Sequence, residues 1–262
     1  MNENFKWIAA AVAVVGLTIG GILYVSRSKK PPAPVAPPVA VTPAPMPAEE
    51  PPIKHPLPAT EAPEKLPPLA ESDQPMQGVL RDLLGNEPVE RFVIPEDLVR
   101  HIVVTIDNLP EQKVAQRLRP VRPVSGMFVA GGTEDEPVLD AANYMRYSAM
   151  VQLFKSTDTA RLVAAYQRYY PLFQDAYANL GHPPQYFNDR VIEVIDHLLA
   201  TPEVAGQPAL KRPGVLYEYA DPNVESLSAG QKVLIRMGDA NAASVKDKLK
   251  ELRAALAARP AG

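Results

Sequence analysis

The chain has 262 residues with 27 basic and 30 acidic side chains, a net charge of -3, 30 prolines, one tryptophan and no cysteine. The missing cysteine excludes a disulfide scaffold, a thiol nucleophile and cysteine-based zinc sites. The acidic balance removes the case for a nucleic-acid binder, whose phosphate affinity needs an excess of Lys and Arg.

Residues 7–25 carry no charge and are apolar throughout, from Trp7 to Val25. A helix of that length rises about 28 Å, which matches the hydrocarbon thickness of a bilayer. Trp7 and Tyr24 suit the headgroup level, and Arg27, Lys29 and Lys30 follow. The end of the run lacks a small-x-small cleavage site, so the expectation is an uncleaved single-pass anchor within 1–30. Gly16 and Gly20 give it a weak small-xxx-small spacing.

Sixteen of the prolines lie in residues 31–75, a Pro/Ala/Val/Glu stretch that neither forms helix ladders nor offers much to bury. It reads as a disordered tether favouring polyproline II, with His55 in solvent. Residues 76–262 hold the periodic apolar pattern of one sizeable core.

That domain reads as mainly α, with at most a small β-hairpin. The expected helices are 76–84, stopped by Gly85, and 96–107, opened by Pro95 with Glu96 and Asp97 at its positive end. Next come 140–155 and a long aromatic pattern capped by Asp158, in which Leu162, Tyr166, Tyr169, Phe173, Tyr177 and Leu180 recur at helical spacing. Pro171 predicts a kink or break near residues 168–170, and Gly181 a stop. Then follow 189–199 capped by Asn188, a capping box at Ser228 and Gln231, and 241–258 with Val245, Leu249, Leu252 and Leu256 on one face. Residues 121–130 and 214–220 read as strands that pair with each other. The glycines at 126, 131 and 132 fit a turn; they match neither a dinucleotide fingerprint nor a Walker loop.

Two polar clusters are candidates for chemistry. On the helix at 189–199, Asp189, Glu193 and Asp196 fall within about 60° of one another, with His197 at the edge of that face. Carboxylates so placed can exchange protons or, with a histidine, hold a divalent metal; the alternative is the solvated side of an amphipathic helix whose Val191, Ile195 and Leu198 face the core. In the second cluster, Asn143, Tyr144, Arg146 and Tyr147, arginine beside tyrosine can bind an anion or a sugar, or can simply form ion pairs while the rings fill the core. No motif calls for a cofactor.

DNLP at 107–110, NYMRY at 143–147, YFNDR at 186–190, DHLLATP at 196–202, LYEYADP at 216–222 and SAGQK at 228–232 occur in order. Together they resemble a proteobacterial family, domain of unknown function 3014. The resemblance implies a bacterial membrane-anchored domain behind a Pro/Ala-rich tether and supplies no activity, cofactor or catalytic residue.

The cues for sidedness conflict. Three basic residues follow the apolar run and Lys6 alone precedes it, which by positive-inside places the domain in the cytoplasm. A long tether suits an inner-membrane protein whose domain reaches into the periplasm, and the expectation is a periplasmic domain. The resulting expectation is a non-enzymatic envelope scaffold that binds another envelope protein or the cell wall. The alternative is a metal- or carboxylate-dependent hydrolase of envelope glycan or peptide, resting on Asp189, Glu193, Asp196 and His197.

Overall fold

The computed structural model describes residues 52–58 and 65–258. The expected anchor between Trp7 and Val25 lies outside them, as does much of the expected tether. Among the described residues no helix is long and apolar enough to cross a membrane.

The expected mainly helical domain is present. A 3-10 turn, Leu69–Glu71, leads into α1 (Asp73–Leu84), so order begins before the expected boundary at residue 76. Gly85, at φ 81, stops α1 and turns the chain into α2 (Asn86–Phe92). Helix α3 (Leu98–Asn108) starts later than expected. Asp97 takes a left-handed φ of 50, which keeps Pro95, Glu96 and Asp97 outside the helix. The negative charge at its N-terminus comes instead from Asp73 of α1, whose carboxylate accepts the Asp97 and Leu98 N–H groups at 2.8 and 2.9 Å. A cap supplied across 25 residues leaves no local signature.

Helix α4 (Ala142–Ser156) and α5 (Thr159–Asn179) meet at Asp158, whose side chain accepts from the Arg161 N–H at 2.8 Å as expected. Of the kink or break expected near residues 168–170, the break does not occur: α5 runs through Pro171. Proline costs the helix one hydrogen bond, and Tyr166 on one side with Leu172, Phe173, Ala176 and Tyr177 on the other are buried in the core, which holds both halves in helix.

Helix α6 (Phe187–Leu199) is not capped by Asn188, which sits inside the first turn and is fully buried. The Phe187 and Asn188 N–H groups donate to Gln174 Oε1 at 2.8 Å and to the Tyr170 hydroxyl at 3.2 Å, so α5 caps α6. Beyond α7 (Pro222–Glu225), the capping box of Ser228 and Gln231 opens α8 (Ala229–Arg236), and Gly238 turns the chain into α9 (Asp239–Ala257). Val245, Leu249, Leu252 and Leu256 of α9 are all buried, and α9 packs against α4, α5 and α6.

The expected pairing of 121–130 with 214–220 is replaced by two local antiparallel hairpins. Strand β1 (Ala130–Gly132) pairs with β2 (Pro137–Leu139), with Gly131 opposite Val138. Strand β3 (Leu210–Lys211) pairs with β4 (Glu218–Tyr219). Short loops close at little entropic cost, which favours the local partners over a pairing across 90 residues. A single bridge, Val138 to Ala209, joins the hairpins, and Val121 bridges Val93.

The side chains divide into two hydrophobic clusters. The large one spans α1 to α6, α8 and α9 and includes Leu98, Ile102, Phe154, Phe173, Phe187 and Ile195. The small one lies under the hairpins and consists of Leu139, Leu210, Tyr219 and Val224, flanked by Phe128, Tyr144, Tyr217 and Ile235.

Candidate functional site

Helix α6 turns Val191, Ile195 and Leu198 inward, so Asp189, Glu193 and Asp196 share its outer side as the spacing requires. Each then has its own partner. Asp189 accepts the backbone N–H groups of Lys54 and His55 at 2.9 and 2.7 Å. Glu193, 68% exposed, pairs with Arg190 at 3.1 Å, and Arg190 also donates to the Asp107 carboxylate and carbonyl, both at 2.8 Å. Burial works to lower the Arg190 pKa, but the Glu193 hydrogen bond and the Asp107 charge outweigh it and hold the guanidinium above its ordinary value. Asp196 is gripped by Arg253 through both Nε and Nη2.

His197 does not join these carboxylates: its Nε2 lies 2.9 Å from Ser228 Oγ, the capping hydroxyl of α8. Burial and the nearby Arg190 charge lower its pKa, against a weaker pull from Glu193. Among the described residues no group of three or more His, Asp or Glu side chains is placed to hold a metal ion. A cleft of about 430 Å³ runs along this face, lined by Lys54, His55, Tyr177, Tyr186, Asp189 and Glu193 among others.

The second cluster holds a loop. Asn143 is buried on α4 and clasps the backbone of Val129 on both sides, accepting its N–H at 3.0 Å and donating to its carbonyl at 2.6 Å. Arg146 donates to the Ser125 carbonyl at 3.1 Å and the Gly126 carbonyl at 3.0 Å, so its fork grips main chain in place of an anion or a carboxylate. Tyr147 belongs to the large core, where burial raises its pKa. Tyr144 flanks the small core, and its carbonyl accepts from Asn241 at 3.0 Å.

The loop so held forms one wall of a third feature, which sequence reasoning missed. Between the hairpins lies an apolar cleft of about 220 Å³ lined chiefly by Phe128, Leu139, Leu210, Tyr217, Tyr219 and Arg236. The rings of Phe128 and Tyr217 stand 5.7 Å apart across 89 residues of sequence. Arg212 sits over Tyr217 at 5.5 Å and Arg236 over Tyr219 at 5.8 Å. Tyr219 has an enclosed hydroxyl with no hydrogen-bond partner among the described residues; burial, offset in part by the Arg236 charge, pushes its pKa up to about 12. Val215 of the lining is 83% exposed, and Met127 and Val129, which flank Phe128 in the chain, are also exposed, Met127 to 88%. The available signals were the apolar residues in SGMFVAGG and the rings of LYEYADP, but neither segment has a period that would mark a shared cleft.

Fold and site thus define a helical domain with a hairpin lobe, whose open apolar cleft is the feature least explained by packing. The family model described as "Protein of unknown function (DUF3014)" matches residues 98–253, more than half of the chain, and the protein belongs to that family. No curated protein and no solved structure matches it.

Proposed function

We propose that the protein is a non-enzymatic binding module of the bacterial cell envelope, anchored in the inner membrane by residues 7–25, held on a proline-rich tether and presenting its domain to the periplasm. Its partner is another envelope protein or the cell wall, and the hairpin cleft is the surface that meets it. One observation carries this reading: Phe128 and Tyr217 line an open apolar cleft that leaves its Val215 83% exposed, with Met127, next to Phe128 in the chain, 88% exposed; apolar side chains left in solvent beside such a cleft fit a ligand surface.

A photo-crosslinking residue placed at Val215 in living cells should give a discrete adduct that disappears when Tyr217 is changed to Ala. The same residue placed at Leu180, also exposed but far from the hairpins in sequence, should give none. Adducts of equal yield at both positions would defeat the assignment. Digestion of the domain in intact spheroplasts tests the periplasmic placement, and protection until lysis would reverse it.

The hydrolase reading has one observation beside it, the cleft along Asp189, Glu193 and Asp196. The partners of these carboxylates favour a structural use. Glu193→Ala should therefore leave the cellular role intact.

A further inference from the structure

We propose that the surface formed by Tyr186, Asn188 and Asp189 is an exchangeable docking site for an extended, proline-flanked peptide carrying a basic residue, and that the chain's own residues 52–58 are its resident occupant. This surface is separate from the hairpin cleft and stands or falls independently of it.

The occupant is read directly from main-chain contacts. Residues 52–58 read PIKHPLP, with prolines at 52, 56 and 58. The Lys54 and His55 N–H groups donate to the two oxygens of Asp189 at 2.9 and 2.7 Å. The Leu57 N–H donates to the Tyr186 hydroxyl at 3.1 Å, and the His55 carbonyl accepts from Asn188 Nδ2 at 2.9 Å. Four hydrogen bonds thus hold main chain with no use of strand pairing, a mode open to a proline-rich segment because only its non-proline positions need to donate. Beneath them the aromatic ground is continuous: Tyr170 and Tyr186 stand 5.1 Å apart, Tyr166 and Tyr170 5.6 Å. Ring-lined surfaces of this kind recognise stiff, extended proline segments, which lose little entropy on binding.

Two observations point to exchange over permanent closure. The segment buries little of itself: Ile53 is 54% exposed, Lys54 and all three prolines are exposed, and only His55 and Leu57 are partly covered. Elements with so few buried apolar contacts open locally well before the domain unfolds. The segment also leaves space beside it, since the cleft of about 430 Å³ continues past Lys54 and His55 along Tyr177, Gln185 and Glu193. Besides Lys54 and His55, the cleft lining carries the carboxylates of Asp189, Glu193 and Asp196 against the single guanidinium of Arg190, a negative balance that suits a basic residue in the occupant.

The test uses the full chain in detergent micelles and a fluorescent peptide of sequence PIKHPLP. Changing Lys54, His55 and Leu57 together to Pro removes all three N–H donors that hold the segment and empties the site. This variant should bind the peptide at least about tenfold more tightly than the unmodified chain, where the resident segment competes at high local concentration. Adding Asp189→Ala to the variant should abolish that binding. No peptide binding by the emptied chain, with its thermal transition retained, overturns exchange. Hydrogen exchange of the unmodified chain is the second measurement and needs no substitution. The His55 amide should exchange about tenfold or more slower than in the free peptide, yet measurably faster than core amides such as that of Ile195. A rate equal to that of the peptide would remove the docked segment, and a rate equal to that of the core would make it a fixed part of the fold; either outcome sinks the proposal.

Discussion

In the helical body, Phe173, Phe187 and Tyr177 pack ring against ring with centroids 5.2 to 6.3 Å apart and almost no exposure. In the hairpin lobe, Phe128 and Tyr217 approach to a similar 5.7 Å, yet they line an open cleft whose Val215 is in solvent, as is Met127 beside Phe128 in the chain. The same residue types therefore serve two ends, and the difference lies in what surrounds them. The body stacks α3, α5, α6 and α9 around its rings, whereas the lobe is built from two-residue and three-residue strands too short to close over theirs. Aromatic content alone says nothing about function; coverage does.

The comparison is broken most severely by emptying the body. Phe187 of α6 is fully buried against Phe173 and Tyr177 of α5, and Phe187→Ala should cost about 3–5 kcal/mol in chemical denaturation, enough to threaten folding. The junction between the two regions should be next. Gly238 has φ 79, and a Cβ added there would stand 2.6 Å from the Tyr144 ring, which flanks the lobe. Gly238→Ala should cost roughly 1–3 kcal/mol through backbone strain and this clash together. A neutral result in either case would mean that the region yields more easily than close packing allows.

These positions also mark how far the sequence could be read. The Asp158 cap, the Ser228 and Gln231 box and the buried face of α9 follow from spacing within one turn, where local chemistry decides. The structure departs from the local pattern wherever a distant group replaces a local one. Asp73 caps α3 in place of Glu96 and Asp97, Gln174 and Tyr170 cap α6 in place of Asn188, and core burial carries α5 through Pro171. The candidate site was legible in the same measure. That Asp189, Glu193 and Asp196 share a face is helix geometry; that they have three different partners, on residues 54–55, 190 and 253, is tertiary. The hairpin cleft draws on residues 128, 139, 210 and 217, which no single window of the sequence holds together.

A smaller effect separates the regions by pH. The folded pKa of His197 is depressed below its ordinary 6.5, so the folded state favours the neutral ring. As pH falls through 6.5 the unfolded chain takes up the proton first; the stabilisation is complete above that value and is lost progressively until the depressed folded value is passed. The melting temperature should therefore decline as pH falls through and below 6.5, and His197→Gln should flatten that slope while costing the contact with Ser228 at all pH values. A slope unchanged in the variant would assign the proton uptake to another group.

The smallest expected change in stability is the most informative about function. Met127 and Val215 touch little, so Met127→Lys with Val215→Lys should shift denaturation by no more than about 0.5 kcal/mol. If the lobe were merely a poorly closed core, nothing else would change. If its cleft receives a partner, charges on Val215 of its lining and on the neighbour of Phe128 impose a desolvation cost on the complex that the free domain never experiences, and cellular function should fail in a protein that still folds and accumulates normally. Placing Lys at Leu180 offers the contrast, because that residue is also exposed but belongs to the helical body, where the same charge should leave both stability and function unchanged.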